Sequence, residues 1–545
     1  MGMRYLIVLD DIWSLEAWEE LNRVFPSCDT GSRIVLTSRQ ESVVSDAKHI
    51  HLPFFTIDES WELLQMKLFK GKGCPEELEN VGREISKICG GLPLTVGLMA
   101  GLLEKVEKNE QMWCEFLFTL YSYVTFRDRI QSNDAIALSY KYLSDHLKPC
   151  LLYFATFPED EVIQVSKLIK LWISEGFIIG MTEKGRVEDE AEDYLNDLVC
   201  SNLIMVSEKE YDGHILSCRV HDLVRDFCLT KAREDISLEV INMEKKWDQT
   251  LNFTPHRICF HMHGTSNIAS ELVPWNSSIH TVLVFHSYEH SYNFSWIAKK
   301  FEHLTVLDLE AISVYPSILS EVNSLIHLSC DKSCLEKSSS DMIEAISYSE
   351  DLQTWVSRCH LTPMHEDLLR KFPRLKKLSC NVSSSEGFPE IDFLHHLENL
   401  ELSSNFESFP LSKFPSSIKE IRLNFITLSV SAISTIAQLP RLESLILFDC
   451  RFEGIWIVEE ETIFSKLKIL QLILLNIGIW DISNAAESFP CLEQLVLGYC
   501  RNLLPMPSSF DDVLTLKKIT VTNCNDDVNS WAKNIEESAQ DIGNE

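Results

Sequence analysis

Apolar residues along the chain follow three different rhythms. Tyr5 to Leu9 is an unbroken apolar run, and Arg33-Ile34-Val35-Leu36-Thr37 is a second. Runs of this length predict parallel strands buried on both faces. The segment between them is predicted helical, and Thr56 or Asp58 is placed to cap another helix whose Trp61, Leu64 and Leu68 fall on one face. Strand, helix, strand, helix predicts an α/β unit with a parallel sheet. From about residue 75 to 235 the spacing is mostly helical, with breaks at Gly90-Gly91, Pro149, Pro158 and Gly213, which predicts two small helical modules.

The second half repeats the unit L-x-x-L-x-L. It reads Leu304, Leu307, Leu309; Leu397, Leu400, Leu402; Leu442, Leu445, Leu447; Leu467, Leu470, Leu472; Leu492, Leu495, Leu497; and Leu516, Ile519, Val521. Weaker copies start at Ile279, Leu325, Leu352, Leu375 and Ile418, so the period is about 21 to 27 residues, within the leucine-rich-repeat range. Such a period predicts a solenoid in which each repeat adds one strand to a concave sheet and stacks its leucines on those of its neighbours. Leu445 and Leu495 are expected to be buried, and Glu443 and Glu493 exposed. Cys450, Cys500 and Cys524, and also Asn405, each stand three residues after the last apolar position of their unit. Asn or Cys is usual there, with its side chain turned into the coil.

Composition narrows the function. The chain has 545 residues, 45% of them hydrophobic, which is too long for one core and predicts several domains. A formal charge of -32 opposes binding to nucleic acid or to an anionic membrane face. The start lacks the apolar run of a signal peptide, and Leu6 stands where a myristoylated chain needs Ser or Thr. Gly90 to Leu103, the most apolar later stretch, contains Pro93 and is too short to span a bilayer. The 17 scattered cysteines read as reduced thiols of a cytoplasmic protein, with the nucleus or the periphery of the plasma membrane as other locations.

The chemistry-bearing motifs lie in the first half. Arg4 to Trp13 is an apolar strand that ends in Asp10 and Asp11, carboxylates that suit a hard Mg2+ ion; the same segment also reads as a strand ending in an Asx turn. Gly31-Ser32-Arg33-Ile34-Val35-Leu36-Thr37-Ser38-Arg39 ends a strand in a cation, and Cys89-Gly90-Gly91-Leu92-Pro93-Leu94 reads as a turn into a helix. In order and spacing these resemble the NB-ARC domain of plant disease resistance proteins. The likeness continues through Cys150 to Asp160, Leu171 to Ile178 and Val220-His221-Asp222-Leu223-Val224-Arg225-Asp226, where Val220 replaces the usual Met. Trp13 favours the coiled-coil subclass.

The resemblance implies a switch that holds ADP at rest and ATP with Mg2+ when triggered. It gives Asp10 the role of metal ligand, Asp11 that of acidic partner to an attacking water and Arg39 that of phosphate sensor. Pro93 would pack near the adenine, and His221 would bond the ADP phosphate. The implied partners are a pathogen effector or a guarded host protein, with other immune receptors as further ones.

No G-x-x-x-x-G-K-[ST] occurs in the sequence. That loop normally supplies the backbone donors and the Lys that hold phosphates. The expectation is a partial α/β P-loop-type nucleotide-binding domain over 1–72, from an incomplete gene model or a shortened receptor. A helical module follows over 73–132, a winged-helix module over 133–240, and a linker with a first solenoid strand over 241–275. Leucine-rich repeats then occupy 276–530 and an acidic tail 531–545. With the loop absent, nucleotide binding and any slow ATPase activity are expected to be impaired. The other reading is a nucleotide-independent module that acts with a full-length partner. His256, Cys259, His261 and His263 lie close together, but alternation along a half-buried strand explains them better than a metal site. The predicted winged helix offers only Lys167 and Lys170 to DNA, and no G-x-S-x-G elbow supports a hydrolase.

Overall fold

A computed structural model describes residues 5–12, 14–25, 31–38, 43, 48–124, 129–178, 187–209, 214–242, 255–262, 278–286, 297, 300–301, 303–309, 324–330, 348–382, 387–404, 413–452, 456–458, 462–475, 480–482, 484–503 and 508–532.

The first unit is small. Strands β1 (Leu6–Leu9) and β2 (Arg33–Leu36) pair in parallel, and helix α1 (Leu15–Val24), capped by Ser14, lies between them in sequence. Contrary to expectation, the strands are not buried on both faces: Leu6, Val8 and Val35 are exposed, and Ile7 and Leu9 are only half-buried. Their sheet has two strands, and α1 buries none of its residues against it.

Helices α2 (Ile57–Phe69), α3 (Glu76–Ile88), α4 (Pro93–Leu103) and α5 (Glu110–Tyr121) form the next unit. Thr56 caps α2 in a capping box with Glu59, and Trp61, Leu64 and Leu68 turn inward at helical spacing. Gly91 (φ 76°) makes the turn before α4; a side chain there would strike the Phe55 carbonyl, whose own amide donates to the Gly91 carbonyl at 3.0 Å. Pro93 then occupies the first turn of α4, where its missing N–H costs nothing. From Thr95 to Leu103 the helix is buried throughout, and no helix of the described residues is long and apolar enough to cross a membrane.

Helices α6 (Ser132–Lys141) and α7 (Leu147–Leu152) lead into a 3-10 turn, Tyr153–Thr156. Pro149 does not break the chain as expected, because it sits in the first turn of α7, where no helical donor is needed. Next come β3 (Ile163–Gln164), α8 (Val165–Ser174), α9 (Val187–Cys200), β4 (Ile204–Lys209), β5 (Ile215–Val220) and α10 (Asp222–Glu234). The strands pair antiparallel in the order β3-β5-β4 beside the helices, the layout of a winged helix. One apolar core joins this module to α2–α5.

The solenoid is a parallel sheet of 13 strands. It begins with β6 (Leu238–Asn242), slightly ahead of the segment expected to carry the first strand, and continues through β7 (Arg257–Met262), β8 (Thr281–His286) and β9 (Val306–Leu309). Next are β10 (His327–Cys330), β11 (Thr354–Leu361), β12 (Lys377–Val382), β13 (Asn399–Ser403) and β14 (Glu420–Asn424). Short outer strands β15 (Thr427–Leu428) and β17 (Arg451–Phe452) pair with each other, as do β18 (Trp456–Val458) and β20 (Trp480–Ile482). The main sheet is completed by β16 (Ser444–Phe448), β19 (Ile469–Ile473), β21 (Gln494–Gly498) and β22 (Lys518–Thr522).

Register is set by the repeat. Ile421, Leu445, Leu470, Leu495 and Ile519 stand opposite one another in successive strands, and Leu445 and Leu495 are fully buried. From the unit that starts at Leu375 onward, the residue after the first apolar position alternates in charge: Lys376, Glu398, Lys419, Glu443, Lys468, Glu493, Lys517. Ion pairs of 3.1 Å (Lys419–Glu398), 2.9 Å (Lys468–Glu443) and 2.8 Å (Lys517–Glu493) result. Glu443 and Glu493 are therefore partly covered by their lysines rather than fully exposed. Cys450 and Cys500 are buried and Cys524 half-buried, and their thiols donate to backbone carbonyls. Asn405 lies outside the described residues.

Candidate functional site

Two places hold concentrated polar groups. At the C-terminal end of β1, the Thr37 hydroxyl donates to Asp10 Oδ1 and accepts the Asp11 amide at 2.8 Å. Asp11 takes a left-handed conformation (φ 55°), which Asp tolerates better than most residues. Thr37 thus holds the Asp10 carboxylate and the Asp11 backbone, a role that its place in the β2 motif does not reveal. Asp10 is exposed and Asp11 half-buried. Pro93 is exposed at the start of α4. His221 is half-buried as the N-cap of α10, and its Nδ1 accepts the Leu223 amide at 3.2 Å. These residues stand on separate elements; Arg39 lies outside the described residues. The donor set fits one side of a nucleotide site, since two carboxylates at a strand end offer oxygens to Mg2+ and the phosphate-cradling loop is not in the sequence.

The second place is the contact between the winged-helix module and the concave face of β6–β9. Ile258, Phe260 and Met262 of β7 point into the solenoid core, while Cys259, with Leu283 of β8 and Val306 of β9, belongs to the core of the helical modules. The strand is consequently buried on both faces, not half-buried as alternation alone suggested. The Thr156 carbonyl accepts from Cys259 Sγ at 2.9 Å and lies 2.8 Å from His261 Nε2. These contacts occupy Cys259 and His261 without a metal; His263 lies outside the described residues.

Charge reinforces this contact. Glu175, at the end of α8, has a fully buried side chain: Oε2 accepts from Arg257 Nε at 2.8 Å and Oε1 from the Thr281 hydroxyl at 2.8 Å. Lys167 Nζ lies 2.9 Å from Asp308 Oδ2, an ion pair whose carboxylate is buried. The two lysines that winged-helix DNA binding would use therefore face the solenoid. Lys170 lines a cleft of about 750 Å3 together with Lys167, Asp308, His327 and Glu401. Burial first, and then Lys377 beside it, brings its amine down to about 7. Burial likewise holds the His327 imidazole down to about 4, with Lys170, Lys167 and Lys377 adding to the effect and Asp308 opposing it. At Glu401 burial raises the carboxyl, but Lys170, Arg422 and Lys377 together outweigh it and hold it below its ordinary value.

Motif residues account for much of this geometry. Glu175 belongs to the Leu171–Ile178 segment, and Arg225 of the Val220–Asp226 segment is buried and donates from Nε to the Phe157 carbonyl at 2.8 Å. Asp308 and His327 carry no motif. A carboxylate between Leu307 and Leu309 on a repeat strand is the one sequence hint, and it does not say what faces it.

Two family models match the chain: the NB-ARC domain over residues 1–74 and the disease resistance protein winged helix domain over residues 156–228. Among curated relatives, the putative late blight resistance protein homolog R1B-16 of Solanum demissum is 34% identical, covering 98% of this chain and 46% of its own length. Two more from the same plant are each 33% identical over 98% of this chain: the putative homolog R1B-12, covered over 44% of its length, and the late blight resistance protein R1-A, covered over 46%. The chain spans about half the length of these relatives. With the winged helix and the repeat solenoid in place behind the NB-ARC segment, the chain belongs to the plant NB-ARC leucine-rich-repeat disease resistance proteins.

Proposed function

We propose that this chain is the sensing and relay part of an intracellular immune receptor, in which the solenoid takes a pathogen effector or a guarded host protein and the winged-helix module reports that event to the nucleotide site. The observation that carries the reading is the burial of Cys259, His261 and Asp308 on the concave face beneath the winged helix. A ligand that seats on that face competes with the module, and a ligand acts on an equilibrium only through such a difference in affinity between two arrangements. Asp10, whose carboxylate Thr37 holds, and Asp11 would bind Mg2+ at the end of β1, and Pro93 and His221 would contact the adenine and the phosphate of ADP. A bound Mg2+ would neutralise phosphate charge there.

A second reading has the chain acting without nucleotide, as a binding or regulatory module that pairs with a complete relative. The absence of a G-x-x-x-x-G-K-[ST] loop from this sequence favours it. Calorimetry with ADP and Mg2+ on the purified chain separates the two. If several charge-assisted hydrogen bonds of about 1.5 to 3 kcal/mol each are missing, micromolar affinity falls to about millimolar or weaker. Tight stoichiometric binding would return the switch to this chain and defeat the second reading.

A further inference from the structure

Cys500 and Cys524 occupy the same place in consecutive coils. Gly498 of β21 stands opposite Thr522 of β22, and each cysteine follows two residues later, after a left-handed residue: Tyr499 (φ 55°) and Asn523 (φ 50°). The two turns are therefore superimposed one strand spacing apart, and both thiols point into the coil. Cys500 Sγ donates to the Leu472 and Gly498 carbonyls at 3.4 Å, and Cys524 Sγ to those of Leu497 at 3.5 Å and Thr522 at 3.6 Å. The two thiols are also close enough to act on each other. Neighbouring strands lie about 4.8 Å apart, within the ~4.4 to 6.8 Å between α-carbons that a disulfide spans. Cys450 has the same setting, but the next coil places buried Leu475 where its partner would stand.

We propose that Cys500 and Cys524 are a redox pair that closes to a reversible disulfide in the presence of hydrogen peroxide and staples the last two coils of the solenoid together. Cys524 is the reactive member. It is half-buried, and the hydrogen bond from Cys500 first, opposed by burial, holds its thiol down to about 7. Cys500 is buried, and its thiol is pushed far up. The Cys524 thiolate attacks one peroxide oxygen; the O–O bond breaks, giving a sulfenic acid, and the departing hydroxide takes up a proton as water. The Cys500 sulfur then attacks the sulfenic sulfur. The S–O bond breaks, and the second hydroxide leaves as water with the Cys500 proton. Two electrons pass from the two thiols to one peroxide.

The test treats the purified chain with hydrogen peroxide, alkylates the remaining thiols and digests it without reductant for mass spectrometry. The expected result is a Cys500–Cys524 cross-linked peptide, lighter by two hydrogens than the separate peptides and opened by dithiothreitol. Cys524 should react at least about tenfold faster than Cys450. In Cys500→Ser, dimedone should trap the sulfenic acid on Cys524, and in Cys524→Ser, Cys500 should stay a thiol. Both cysteines remaining reduced at a peroxide dose that oxidises exposed Cys114 and Cys200, or Cys524 pairing with any other cysteine, would overturn the proposal.

Discussion

The carboxylate of Glu175, at the end of a winged-helix-module helix, sits 2.8 Å from the guanidinium of Arg257 on a solenoid strand, with no exposure of its own. An ion pair so enclosed is weak evidence for stability while intact, but removing one partner strands the other away from water. Glu175→Ala is accordingly expected to cost about 3 to 5 kcal/mol, seen as a lower midpoint in urea unfolding. Glu175→Gln keeps both contact points and should lose less. Equal loss from the two variants would mean that the charge alone sustains the contact and that the two retained contact points add nothing.

Within the repeats the energetics are local. Leu445→Ala or Leu495→Ala removes a fully buried side chain stacked between two strands, and a loss of about 2 to 5 kcal/mol is expected. Since a solenoid passes stability mainly to neighbouring repeats, hydrogen exchange should quicken in the adjacent strands and stay unchanged in α2–α5. Faster exchange throughout the chain would contradict that locality.

The cleft makes the contact sensitive to acid. Burial holds His327 at about 4 against an ordinary 6.5, so the unfolded chain binds a proton in that window and the folded chain does not. Stability from this residue is present above 6.5 and is lost as pH falls from 6.5 to about 4, by on the order of 3 kcal/mol. The depressed Glu401 carboxyl acts in the same direction at lower pH. Unfolding curves of the native chain and of His327→Gln between these limits check the expectation, and the variant should show the flatter pH dependence.

Much of the architecture is legible in the sequence because period translates directly into geometry. The eleven repeat starts counted from Ile279 to Leu516 each precede a strand of the main sheet, and Thr56, Gly91 and Pro93 have the roles their chemistry suits. What periodicity misses are faces covered from outside the element. Alternation along β7 separates Ile258, Phe260 and Met262 from Cys259 and His261, but cannot reveal that Thr156 lies over the second set. An apolar run such as Leu6–Leu9 likewise states what a strand can bury, and its actual burial depends on the strands and helices beside it. At the end of β1, the carboxylates of Asp10 and Asp11 are readable as a pair, whereas the hydroxyl of Thr37 that bonds the Asp10 carboxylate and the Asp11 amide is not. A hydroxyl on a strand has many ordinary uses.

The claim that the winged-helix module closes the concave face of the first repeats is tested most directly at Cys259, which has no exposed surface beneath Thr156. Alkylation by iodoacetamide, followed residue by residue in the native protein, should modify exposed Cys114 and Cys200 promptly and leave Cys259 protected. Lys167→Glu places a carboxylate against Asp308 and should open the contact, raising the rate at Cys259 while Cys89, buried in the helical core, stays protected. Alkylation of Cys259 as fast as that of Cys114 in the unaltered chain would contradict the account.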